Sequence, residues 1–273
     1  IPNPQSPIPN PQSPIPIGQI QMLSKLILNK YYLVVFILIF KGIKMEVFNF
    51  LFNESPKITK ILIISSFATS ILVWSGLITT LDIYLNFGLI IKKFQIWRIL
   101  TTFLYFGEFN LNLVLHMYIF FRDSKILEKK IFHGSSADYL YFILFCMIFL
   151  LFLSIFTKSI FLSSSLNFAM MYYWGRKSKT TNVEFMGVFT FRAPYLSIFY
   201  LLISFLLGYE YRELIFGIIV GHVYFFGKEI LPRIKGVKGV KLLETPKIIQ
   251  KICDILKLNN DFIIEMNDDN LMF

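Results

Sequence analysis

Phe94-Gln95-Ile96-Trp97-Arg98-Ile99-Leu100-Thr101-Thr102-Phe103 separates two long apolar runs, one ending near Leu81 and the other beginning near Phe109. Tryptophan joins a large apolar ring system to a single N–H donor and favours the level where lipid tails meet headgroups. Arginine lays its stem along apolar surface and sets its guanidinium among phosphates or carbonyls. With Lys92 and Lys93 just upstream, Trp97-Arg98 reads as an anchor that folds an amphipathic loop back against a bilayer. The chain then crosses the membrane on either side of that loop.

Composition agrees. Of 273 residues, 55% are hydrophobic, 18% aromatic and only 16% charged, and 31 are Phe, more than a soluble domain could bury. A bilayer core of about 30 Å requires apolar helical runs of about 18 residues or more, and this chain has several. The formal charge of +10 does not signal nucleic acid, because no basic patch with interleaved aromatics forms a folded module. Basic loops on the cytosolic side account for it. Cys146 within a span and Cys253 in the tail make no disulfide pair.

Residues 1–21 are a Pro-rich low-complexity stretch, with Ile1 to Pro7 duplicated as Ile8 to Pro14, and are predicted to be disordered. Residues 22–44 form a hydrophobic leader, with Lys25 and Lys30 ahead of an apolar core from Tyr31 to Phe40. It reads as a signal or anchor, as an extra span, or as sequence ahead of a start at Met45. Residues 45–231 hold the expected membrane core. Its spans are Ile61–Leu81, Phe109–Phe121, Tyr139–Thr157, Ser159–Trp174, Pro194–Leu207 and Glu213–Ile230. Asp82 to Glu108 is the amphipathic loop, Arg122 to Ala137 a charged loop, and residues 232–273 a soluble tail. The expected class is therefore an all-α membrane protein with six transmembrane helices.

Charge orients the core. One side receives Lys57, Lys60, Arg122, Lys125, Lys129, Lys130, Arg176, Lys177, Lys179, Arg192 and the lysines and arginines of the tail. The other has only Lys92, Lys93, Arg98, Lys158 and Arg212. The positive-inside rule then puts both ends of the core in the cytosol. A signal cleaved near Lys44 would place Met45 on the opposite face, so an uncleaved span or a start at Met45 fits better.

Polar groups inside spans are costly unless partnered, which makes them candidates for function. Glu108, Asn110, Asn112 and His116 cluster at the second span, and helical spacing puts Glu108, Asn112 and His116 on one face. They read either as the lining of a hydrophilic groove or as boundary residues with a histidine bonded to a neighbouring helix. Gly217 and Gly221 form a small-xxx-small pair that permits close helix approach, and His222 follows at once. Ser163-Ser164-Ser165 with His222 raises the idea of a serine–histidine dyad. No Gly flanks those serines to open an oxyanion pocket, and serine runs in membrane helices usually bond their own carbonyls. No P-loop, zinc spacing or dinucleotide fingerprint appears, so neither cofactor nor metal is expected.

Several of these motifs, taken in order, resemble the derlins, the Der1-like family. Phe94 to Arg98 with Thr102-Phe103 resembles their Trp-Arg signature, and Leu127-Glu128, Phe132, Gly134 and Ala137-Asp138-Tyr139 fit the stretch beyond it. Met171 to Trp174, Phe191 to Leu196, Gly217 to Phe226, Pro232 and Thr245-Pro246 continue the match, so that it runs from about Met45 to Pro246. The resemblance implies a rhomboid-like six-helix bundle without protease activity, hence no enzyme. It implies residence in the endoplasmic reticulum membrane and a part in moving misfolded proteins to the cytosol for ubiquitin-dependent degradation. Trp97, Arg98, Gly217, Gly221 and His222 fall on its motifs. The implied partners are misfolded clients, a membrane ubiquitin ligase complex, a cytosolic AAA ATPase, the lipid bilayer itself and further copies or relatives in an oligomer. Leu271-Met272-Phe273 lacks the Gly- and Arg-rich box by which some derlins bind the ATPase, which puts direct binding in doubt. An alternative role is protein import across a secondary plastid membrane, to which derlin relatives have been redeployed; the leader would suit it. An active intramembrane serine protease is the remaining alternative.

Overall fold

The structure, a computed structural model, describes residues 55–157, 159–185, 189–206, 211–234 and 243–258. The expectations for residues 1–21, for the leader and for the acidic end of the tail lie outside them. Pro56 sets φ at −60° and opens helix α1 (Lys57–Trp74). The expected first span reached Leu81. The helix stops sooner because Gly76 takes φ +74°, a left-handed turn that closes a helix C-terminus.

The segment expected to be an amphipathic loop contains three short helices, α2 (Thr80–Ile83), α3 (Phe87–Lys93) and α4 (Trp97–Leu104). Thr79 and Asp82 form a reciprocal capping box on α2, and the Asn86 side chain accepts the Leu89 amide at the start of α3. Leu81, Ile91, Phe94, Ile96, Trp97 and Leu100 are all exposed along this segment.

Asn110 caps α5 (Leu111–Ile126) by accepting the Leu113 amide. Helical structure continues as a widened turn through Leu127–Ile131, and only at His133 (φ 51°) and Gly134 (φ 76°) does the chain reverse. The expected charged loop at Arg122 to Ala137 is therefore mostly helix. Asp123, Ser124 and Glu128 are buried there; Asp123 Oδ1 pairs with Arg122, and Ser124 and Glu128 are hydrogen-bonded to residues of α1 and of the next helix.

α6 (Ser136–Thr157) and α7 (Ser163–Lys177) follow. α7 is buried along nearly its whole length and is the central helix. Beyond it the chain departs from an all-α plan. β1 (Asn182–Phe185) and β2 (Phe189–Arg192) form an antiparallel hairpin in which Val183 opposes Phe191 and Asn182 opposes Arg192. Polar and apolar residues alternate in both strands, which is the period of a strand rather than of a helix. The fifth apolar helix, α8 (Leu196–Leu206), starts only after the hairpin and a short turn. α9 (Arg212–Phe225) runs on through turns to Arg233, and α10 (Lys247–Ile255) packs on the end of α6.

Three helical stretches among the described residues are long and apolar enough to cross a membrane: Lys57–Trp74, Ser136–Thr157 and Arg212–Arg233. Their outer faces expose Ile61, Ile64, Ile148, Phe152, Phe156 and Ile219 among others. That apolar surface suits lipid and not water. Inside, Phe142 stacks on Tyr173 at 4.9 Å and meets Tyr224 edge-on at 4.8 Å, joining α6, α7 and α9 through rings.

Candidate functional site

Arg98 lies in the first turn of α4 and is 3% exposed. Its Nη1 donates to the carbonyls of Leu81 at 2.9 Å and Tyr84 at 3.0 Å, and its Nε to Gln95 Oε1 at 2.7 Å. The Tyr84 ring lies 5.0 Å from the guanidinium carbon. One side chain thus ties the end of α2 to the start of α4, and carbonyl dipoles with a ring face meet its charge. Thr101 and Thr102 extend the tie to the carbonyls of Ile83 and Ile160. Trp97 does the opposite: it is 54% exposed, and its Nε1 donates to the Asp82 carbonyl at 3.3 Å. Asp82 is held below the ordinary carboxylate value of 3.8 by hydrogen bonds from the Thr79 hydroxyl and amide, with the charge of Arg98 adding to them.

On the far side of α7, a Cβ on Gly217 would overlap the Ser165 carbonyl oxygen and sit 2.8 Å from Phe168 Cβ. On Gly221 it would lie 2.7 Å from the Ala169 carbonyl oxygen. Both glycines therefore serve backbone contact between α9 and α7. Gly175 does the same for the turn after the hairpin, where a Cβ would meet the Ala193 carbonyl oxygen at 2.6 Å. His222 is exposed, and its Nδ1 pairs with the Tyr172 hydroxyl at 2.7 Å.

The four polar residues near the second span are less unified. Asn112 and His116 share a face of α5, with Asn112 exposed and His116 half-buried. Asn110 is the cap, and Glu108 lies exposed in the turn before the helix begins. Glu108 therefore does not share that helical face, because the cap at Asn110 starts the helix too late to include it.

The model of the Der1-like family matches residues 55–247. A probable derlin-2 homolog of Dictyostelium discoideum is 35% identical over 210 residues, covering 74% of this chain and 82% of that one. Derlin-2.2 of Arabidopsis thaliana is 34% identical over 212 residues, covering 74% and 86%, and Derlin-1.1 of Zea mays is 32% identical over 203. The chain belongs to the Der1-like family.

In this Der1-like chain the serines suspected of nucleophilic chemistry have other tasks. Ser163 Oγ donates to the Tyr105 carbonyl at 2.6 Å, and Ser165 Oγ to the Glu213 carbonyl at 2.8 Å. His222, paired with Tyr172, stands more than one helical turn beyond Gly217, the α9 residue that meets Ser165. The Ser163 and Ser165 hydroxyls tie α7 to neighbouring elements, and the His222 imidazole bonds Tyr172.

The Der1-like core also contains a polar centre that sequence reasoning missed. Glu128 is fully buried and accepts the amides of Ile58 and Thr59 at 3.3 and 2.8 Å, the Thr59 hydroxyl at 2.8 Å and the Ser136 hydroxyl at 2.9 Å. Ser124 joins Thr59 to Tyr139 by bonds of 2.9 and 2.6 Å. The available signal was the helical spacing of Ile126, Leu127 and Ile131 among charges, which turns the acidic residue between them inward. Arg122 and buried Asp123 pair nearby at 2.8 Å, with the guanidinium 5.9 Å from the Trp174 ring.

Proposed function

We propose that this Der1-like protein works in endoplasmic-reticulum-associated degradation, as a component that helps misfolded proteins pass from the reticulum to the cytosol. In this reading residues 45–231 form six spans, α1, α5, α6, α7, α8 and α9, with both ends of that core cytosolic and α2 to α4 as the amphipathic loop on the opposite face. The protein lowers a barrier and makes no bonds. Charged and backbone groups crossing lipid cost several kcal/mol each. The observation that carries the reading is the length of α8. With the turn that leads into it, its described part runs from Ala193 to Leu206 and rises about 22 Å, short of a normal hydrocarbon core of about 30 Å. In this reading α6, with 22 residues, crosses fully, while the shorter α8 draws the two faces of the bilayer together.

Asn110, Asn112 and His116 would hydrate a passing segment at the start of α5, with Glu108 at its mouth. Arg98 fixes the geometry of the amphipathic loop while Trp97 seats it at the lipid boundary. Gly217 and Gly221 hold α9 against α7, and His222 presents a polar edge beside Tyr172. Clients arrive as unfolded polypeptides. A membrane ubiquitin ligase complex would mark them and a cytosolic AAA ATPase would pull, with this protein acting in a homo- or hetero-oligomer.

The test is client turnover in cells depleted of the native protein and supplied with wild-type, Arg98→Ala or Gly217→Val chains. Membrane insertion is expected to persist while the client half-life lengthens several-fold. Unchanged turnover in both variants would overturn the reading, and a location outside the reticulum by imaging of the full chain would favour plastid import instead.

A further inference from the structure

α10 is divided lengthwise into three strips. Ile249 and Cys253 turn inward, and Cys253 is fully buried. Ile248, Ile252, Ile255 and Leu256 follow the i, i+4, i+7, i+8 spacing of one apolar face and are 72%, 43%, 79% and 60% exposed. Lys247 and Lys251 flank that row, and Lys257 closes it. A helix packed on its protein by one strip does not need a second apolar strip unless something apolar covers it.

The attachment of α10 indicates what that is. Ser136 Oγ shares its one proton between Glu128 and the Leu258 carbonyl, the latter at 2.8 Å, and Lys57 Nζ donates to the Lys257 carbonyl at 2.5 Å. The Thr245 hydroxyl donates to the Asp138 carboxylate, and Gln250 Nε2 to the Thr245 carbonyl at 3.2 Å. Lys57 and Ser136 are the first residues of α1 and α6, two helices long and apolar enough to cross a membrane. α10 is therefore fastened at the level where those helices leave the lipid, on the side where lysines and arginines concentrate.

We propose that α10 is an interfacial helix. Its row of Ile248, Ile252, Ile255 and Leu256 sinks into the leaflet at which α1 begins, and Lys247, Lys251 and Lys257 rest on anionic phospholipid headgroups. Apolar burial with electrostatic attraction is how such helices bind a membrane surface. The segment expected to be a soluble tail thus begins as part of the membrane-bound body. This does not depend on what the protein transports.

The test uses the full chain with a nitroxide at Ile255→Cys or Gln250→Cys, buried Cys146 and Cys253 being left in place and the unlabelled wild type serving as control. It is reconstituted in vesicles of phosphatidylcholine alone or with about one-third phosphatidylserine. In the anionic vesicles the label at 255 is expected to collide with oxygen more than with a nickel chelate, and the label at 250 the reverse. Lys247→Gln and Lys251→Gln each lower the docked-to-free ratio roughly fivefold. Equal nickel access at both positions overturns the proposal, as does equal docking without phosphatidylserine. Screening of position 255 from both reagents that grows with the protein-to-lipid ratio also overturns it, since a second copy would then cover the row.

Discussion

The Glu128 carboxylate receives the amide of Thr59 at 2.8 Å across 69 residues of sequence. The acceptor belongs to the widened turn after α5 and the donor to the first turn of α1, where helix amides have no partner of their own. A carboxylate there also meets the positive end of the helix dipole. Glu128 thereby caps α1 from another helix, while Ser136 brings the start of α6 to the same oxygens.

Removing that cap strands several buried donors. Glu128→Ala is expected to destabilise the detergent-solubilised protein by about 3 kcal/mol, and Glu128→Gln by roughly half as much, because an amide oxygen still accepts. Thermal unfolding followed by fluorescence measures both. Equal stability of Glu128→Ala and wild type would mean that α1 is not capped this way.

Arg98 and Trp97 should separate. Arg98→Ala leaves two carbonyls and Gln95 without their donor and is expected to cost about 3 kcal/mol. Arg98→Lys recovers only part, since an ammonium lacks the spread of the guanidinium fork. Trp97→Ala, exposed as it is, should leave unfolding nearly unchanged in detergent. Unfolding curves of the three variants decide it.

The glycines of α9 predict a size series. Gly217→Ala already sets a methyl against the Ser165 backbone, and Gly217→Val adds two more carbons with no flexible neighbour to yield. The expected losses are about 2 kcal/mol for Ala and larger for Val, because overpacking a rigid contact forces backbone shifts. A shortened oxygen-to-backbone contact being absent, Ala at 217 would be silent, and denaturant unfolding would reveal that.

Asp82 gives a pH dependence of known sign. Its folded value lies below 3.8, so its contribution is fully present above the unfolded carboxylate value and is lost as pH falls through the folded one. Carbon-detected NMR titration should find its midpoint below 3.8. Thr79→Val should raise that midpoint, and a midpoint that does not respond to Thr79→Val would exclude the capping box.

Ser163→Ala and Ser165→Ala should each cost about 1 kcal/mol of stability, as the loss of one hydrogen bond does. Neither should abolish client turnover, and no fluorophosphonate probe should label either serine. Labelling that disappears in one of these variants would revive the protease reading.

Much of this protein follows from local sequence. Runs of Ile, Leu and Phe must leave water, so the membrane class and the long α1, α6 and α9 were legible from composition and length alone. Gly217 and Gly221 at a spacing of four announced a close helix contact. Tertiary structure decided where the charges go. Arg98 could have faced lipid phosphates, and only the fold turned it onto the carbonyls of Leu81 and Tyr84. Arg122 to Ile131 looked like a solvated loop because sequence shows charges without their partners. Thr59 and Ser136, far along the chain, make Glu128 an interior residue. Apolar burial is additive and readable residue by residue, whereas a buried polar group is stable only through a specific partner, and the partner is supplied by folding.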